Sequence, residues 1–174
     1  MTGPEQKLSR PRRRTTLAVA CAALAAGLLA TSYVAMAQDQ SVATPKDVIF
    51  ARKTLMSTVS DNFDQIEAMI ATNKLDIADA HEHADTISVM LMAYPHLFPP
   101  SSNQWKPNAD LDPGTDTFAS PDVWSKFPDF YKRAAAASKT AYDMSRADKA
   151  DELKAHAKEL RVMCNACHEL YLKQ

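Results

Sequence analysis

Glycine is scarce in this chain, with three in 174 residues, and so is cysteine, also three. Few glycines, with plentiful alanine, methionine and charged residues, suit helices and argue against a turn-dense all-β protein. There is no nucleotide-binding loop. One cysteine, Cys21, lies in an N-terminal apolar run. Without it only Cys164 and Cys167 remain, so a disulfide framework is neither available nor needed. A four-cysteine zinc site lacks its second pair. A dithiol redox motif sits beside a βαβ pattern, and no strand pattern is visible. Neither charge sign dominates: the formal net charge is −1.

Residues 1–14 are basic (Lys7, Arg10, Arg12, Arg13 and Arg14 against Glu5), and 15–37 are small and apolar. The run ends in Ala35-Met36-Ala37. These are the three parts of a secretory signal peptide, cleaved after Ala37, with 38–174 as the mature domain. The alternative is an uncleaved anchor, because the run is long enough to cross a bilayer. Cleavage takes away five of the 20 basic and one of the 21 acidic residues, leaving a net charge near −5. That balance argues against a nucleic-acid partner.

Along the mature chain, apolar positions recur at alternating steps of three and four, the spacing of a bundle seam. Thr44, Pro45 and Asp47 form a helix start of cap, first-turn proline and capping-box acid. The first stripe is Ile49, Arg52, Met56, Val59, Phe63, Ile66 and Ile70, in a helix over 45–72. Arg52 on an inner face needs an anionic partner, or must sit at the bundle end and reach water. The second helix covers 75–93 with Ile77, Ala80, Ala84, Ile87, Leu91 and Tyr94; His81 and His83 lie off that stripe and are expected in solvent. Six of the ten prolines fall in 95–121. No long helix crosses them, and Leu97, Phe98, Trp105 and Phe118 should fold this loop back over one bundle end. A third helix opens at Ser120-Pro121-Asp122 and runs to about 144, kinked or restarted by Pro128, with Val123, Phe127, Tyr131, Ala134, Ala137 or Ser138, and Ala141 inward. The fourth runs from about 146 to 171, with Leu153, Ala157, Leu160, Cys164, Cys167 and Tyr171 on one face. The expected fold is an all-α, four-helix, antiparallel up-down bundle.

The fourth helix carries Cys164-Asn165-Ala166-Cys167-His168, the Cys-x-x-Cys-His pattern of c-type haem attachment. Each thiol adds across one vinyl group on the same porphyrin edge, and two intervening residues let both sulfurs reach it. The following imidazole then binds iron from one face. One covalently attached haem c follows as cofactor, with Cys164 and Cys167 as its anchors and His168 as the proximal iron ligand.

Four helices, a long loop between the second and third, and a haem motif at the far C-terminus together resemble the class II cytochromes c, the cytochrome c-prime family and its low-spin relatives. The resemblance covers about 45–173. It rests also on Pro45-Lys46-Asp47, on Arg52-Lys53-Thr54-Leu55-Met56, on Leu97-Phe98-Pro99 and on Pro121-Asp122-Val123-Trp124. It implies that Met56 is the distal residue across the haem from His168, and that Arg52 contacts a haem propionate. In the low-spin branch the methionine binds iron and the protein carries electrons. In the c-prime branch the iron stays five-coordinate and binds NO or CO. The Leu97-Phe98-Pro99 turn, and Leu172 where the family usually carries a basic residue, resemble the first branch. The expected protein is therefore a periplasmic one-electron carrier. Its partners are redox proteins of unidentified type, it makes no membrane contact after cleavage, and it is a monomer or an antiparallel homodimer. No triad or second metal-ligand cluster appears, and His96 and His156 are isolated histidines, so an enzyme is not expected.

Overall fold

Thr44 starts the first helix by a reciprocal cap. Its backbone N–H donates to Asp47 Oδ2 (2.8 Å), and the Asp47 N–H donates back to Thr44 Oγ1 (3.3 Å). From there the computed structural model, which describes residues 43–173, runs through five helices. They are α1 (Pro45–Ala71), α2 (Ile77–Ala93), the single turn α3 (Asp122–Ser125), α4 (Phe127–Met144) and α5 (Ala150–Tyr171). Among the described residues there is no strand, only one isolated bridge between Ala119 and Leu172. The four long helices form the expected bundle. The signal segment, its cleavage after Ala37 and Cys21 lie outside the described residues.

The predicted stripes are the core. Ile49, Val59, Phe63 and Ile66 of α1, Ala80, Ala84, Ile87 and Leu91 of α2, and Leu153, Ala157 and Leu160 of α5 are all buried. α2 starts two residues later than its periodicity suggests. The Asp76 carboxylate accepts the N–H groups of Ala78 and Asp79, at 3.0 and 3.3 Å, and so fixes the cap one step beyond Leu75. Asn73 makes the preceding turn with φ of 55°, a conformation asparagine tolerates better than most residues.

The third stripe needs correction. Lys126 leaves helical geometry (φ −118°, ψ 31°), and the helix restarts at Phe127 with Pro128 in its first turn. An unbroken helix would press the proline ring against the carbonyl four residues back. The restart shifts the phase. Phe130 is buried at 3 % exposure, whereas Tyr131, expected inward, is 40 % exposed. His81 and His83 also depart from expectation. They are half-buried and bonded across the bundle, His81 Nε2 to the Ala147 carbonyl (3.1 Å) and His83 Nδ1 to Asn62 Oδ1 (2.8 Å).

The proline-rich connection folds back as expected. Phe98 is buried, and Trp124 Nε1 donates to the carbonyls of Phe98 and Pro99 (3.1 and 3.2 Å). The end of the loop is tied to the end of α5: Ser120 N–H donates to the Tyr171 carbonyl, and Lys173 N–H to that of Phe118, both at 2.8 Å. Three seams of the bundle, α1–α2, α2–α4 and α4–α5, are extensively packed; α1 and α5 touch far less.

Candidate cofactor site

Met56 of α1 and the two motif cysteines of α5 border the two apolar clusters of the bundle. Cys164 packs against the main apolar cluster, which holds Val59, Phe63, Ile87 and Leu160, and Met56 of α1 packs against the same cluster. Three residues on, nearly one helical turn, Cys167 packs against a second cluster of Phe98, Val123, Phe130 and Tyr171. The two thiols therefore line the face of α5 on which both clusters end. Both are free and half-buried. Burial pushes both thiols up, Cys167 to about 11. They are protonated at neutral pH. That is opposite to the lowered thiol of a dithiol redox pair. Among the described residues no cluster of three or more His, Cys, Asp or Glu is arranged to hold a bare metal ion.

His168 lies on the exposed side of the motif. Partial desolvation, and then the nearby Arg161 charge, hold its imidazole below the usual histidine range. It is neutral at pH 7 and keeps a ring-nitrogen lone pair to offer a metal. Two thiols three residues apart on one helix, followed directly by an imidazole, fit a covalently attached haem.

Arg52 is buried at 2 % exposure, so the expectation that it reaches water at the bundle end does not hold. Its guanidinium donates to Ser102 Oγ (3.0 Å), to the Ser102 carbonyl (3.3 Å) and to Thr117 Oγ1. It stacks over Phe98 at 4.7 Å and Trp124 at 5.6 Å. No carboxylate is among these partners. Hydroxyls, one carbonyl and aromatic faces replace the anion that its position on the stripe called for. Arg52 thereby pins the folded-back loop to α1.

Sequence reasoning missed two groups. Arg161 crosses the seam to Glu67 with two hydrogen bonds (2.9 and 2.6 Å) and lies 4.5 Å over the Phe63 ring. Beyond Cys167, Tyr171 donates to Asp129 Oδ2 (2.6 Å), which also accepts from Arg133 Nε (2.7 Å). Glu67 and Arg161 are 94 residues apart, so no sequence spacing announces their pairing. Two surface cavities, of about 350 and about 580 Å³, border the proline-rich loop and do not include the motif.

Residues 47–172 match the family model described as cytochrome C′. A cytochrome c-556 of Agrobacterium tumefaciens (strain II Chrys) is 28 % identical over 123 residues, covering 69 % of this chain and 92 % of that protein. The fold is similar to the crystal structure of cytochrome c′ from Thermochromatium tepidum (TM-score 0.67, 17 % identity, 77 % of this chain and 100 % of that one). It is also similar to a cytochrome c′ described as having an unusual ligand-controlled dimer dissociation (TM-score 0.65, 18 % identity, 77 % and 100 % covered).

Proposed function

The chain belongs to the cytochrome c′ family and carries one covalent haem c, and on that premise we propose that it is a periplasmic one-electron carrier whose iron is held by His168 and Met56. The observation that carries this reading is the place of Met56. Its side chain lies on α1, against the cluster that Cys164 also borders, across the least closed seam of the bundle. When bound, the haem supplies the one-electron couple, and a thioether opposite the imidazole favours its reduced form. The chain supplies the rest. Cys164 and Cys167 would fix the group to α5, His168 and Met56 would bind its iron, and the two apolar clusters would line its surroundings. Iron held by both residues would leave no open site for a substrate, as a carrier requires.

A second reading leaves the iron five-coordinate and open to NO or CO, with Met56 standing aside. Kinship favours this one: the family model and the fold neighbours are cytochromes c′, one of them with a ligand-controlled dimer. The visible spectrum of the ferrous protein with and without CO tests the two. The carrier reading expects sharp low-spin bands that ignore CO, and a Met56→Ala variant that turns high-spin and takes CO up. CO uptake by the unaltered protein, or an unchanged low-spin spectrum in Met56→Ala, rejects Met56 as ligand.

Export by the signal segment 1–37 places the mature protein in the periplasm. No helix among the described residues is long and apolar enough to cross a membrane. Redox proteins are the expected partners. α1 and α2 leave Phe50, Val89 and Met92 exposed, which supports a homodimer packed through these helices over a monomer.

A further inference from the structure

Asn62 of α1 donates its amide N–H to the Thr58 carbonyl, one turn back, at 2.8 Å. A carbonyl only accepts, so the amide nitrogen faces Thr58 and Asn62 Oδ1 is left for α2. Oδ1 meets His83 Nδ1 at 2.8 Å and takes the N–H of that nitrogen. In a neutral imidazole one nitrogen carries the proton and the other a lone pair. Asn62 therefore puts the lone pair on Nε2. That atom lies 3.7 Å from Asp79 Oδ1, one turn earlier on the same face of α2. Two acceptors then stand opposite each other, too far apart for a hydrogen bond. The spacing suits a cation. Zinc sits about 2.0–2.1 Å from an imidazole nitrogen and about 2.0–2.2 Å from a carboxylate oxygen, so one ion can touch both. Asp79 is exposed and His83 half-buried, so water can complete the coordination.

We propose that His83 and Asp79 form a surface site for one divalent transition-metal ion of the zinc or copper class, with Asn62 as its positioning residue. A histidine that binds metal characteristically gives its other N–H to a carbonyl or carboxylate, which fixes its tautomer and ring orientation. Asn62 does this here from the neighbouring helix. An imidazole in the ligand set favours zinc and copper over magnesium and calcium, which take oxygen ligands. A second pair shows what Asn62 adds. On α5, His156 Nδ1 lies 3.8 Å from Glu159 Oε2, but nothing among the described residues hydrogen-bonds its Nε2. The spacing is the same and the orienting partner is missing. The site shares no residue with the haem motif and stands whichever ligands hold the haem iron.

The test is a calorimetric titration of the haem-loaded protein with zinc chloride in a non-coordinating buffer. One saturable zinc per chain is expected, removed by a chelator, with copper(II) binding more tightly and magnesium not competing. His83→Gln should abolish it; the glutamine amide can still donate to Asn62, so the tie between α1 and α2 is kept. Asp79→Asn, on the exposed side, gives the same reading without touching that tie. Asn62→Leu leaves both ligands in place and should weaken zinc about ten- to a hundredfold, the usual cost of losing the group that orients a ligand. His156→Gln should change nothing. If His83 and Asp79 are only a protonated ion pair, no saturable binding appears and the proposal falls. It falls also if zinc binds His83→Gln and Asp79→Asn as well as the unaltered chain, or if His156→Gln costs as much as His83→Gln. Full affinity in Asn62→Leu overturns the positioning role of Asn62.

Discussion

At the α2–α4 seam, Ala80, Ala84 and Ser88 of one helix and Ala134, Ala137, Ser138 and Ala141 of the other are all buried. Ser138 donates across it to the Ser88 carbonyl at 2.8 Å. At the α1–α5 seam the side chains are large or reactive: Met56 and Glu67 on one side, Cys164, Cys167 and Arg161 on the other. Small residues bring two backbones close and leave no room between them. Long ones joined by an ion clamp hold two helices apart while keeping them in register. The bundle gains cohesion at the first seam, and the motif cysteines border the second.

The strongest way to break this contrast is to remove the anchors. A Cys164→Ala, Cys167→Ala double variant should lose all covalently bound haem, read on a denaturing gel by haem stain after expression with a working attachment system. Haem that stays on that chain would remove the open seam from consideration as the attachment site.

The closed seam should respond through stability. Ala84 is fully buried in the main cluster. Ala84→Leu forces three extra carbons into a packed interface, which costs about 1–3 kcal/mol. The melting temperature should fall by roughly 5 °C. The reference is Val162→Leu on the exposed face of α5, where Val162 is 61 % exposed; there the change should stay within about 0.5 kcal/mol. Equal melting temperatures for the two variants would mean that the α2–α4 seam is looser than its small residues imply.

The two seams were unequally legible in the sequence. The stripes through Val59, Ile87 and Leu160 follow from helical spacing alone, because burial on one face of a helix is a local rule. The haem motif was legible because its chemistry fixes the spacing of Cys164, Cys167 and His168. The phase of α4 was not: placing Tyr131 inward carried the stripe through Pro128 as if the helix continued, and the break at Lys126 turned Phe130 in instead. The partners of Arg52 could not be read either. Its charge announced a need, but Ser102 and Thr117 lie 50 and 65 residues away in a loop without periodicity.

The smallest expected effect belongs to the clamp that keeps the open seam in register. Glu67 accepts two hydrogen bonds from Arg161, both side chains being about 40 % exposed. Water and salt screen a pair this exposed, and a bidentate geometry of this kind is worth about 0.5–1 kcal/mol. Glu67→Gln keeps the shape and removes the charge. Arg161 retains Asp64 at 3.6 Å and the face of Phe63, so the loss should lie at the lower end. Thermal melts at low and at 1 M salt separate the electrostatic part, because added salt shortens the range of the interaction. The variant should melt below the unaltered protein at low salt, and the two should converge at high salt. A difference that persists unchanged at 1 M would assign the contribution of Glu67 to packing against Phe63 and α5. No difference at either salt would leave the attached haem, and not the ion pair, as what holds α1 and α5 together.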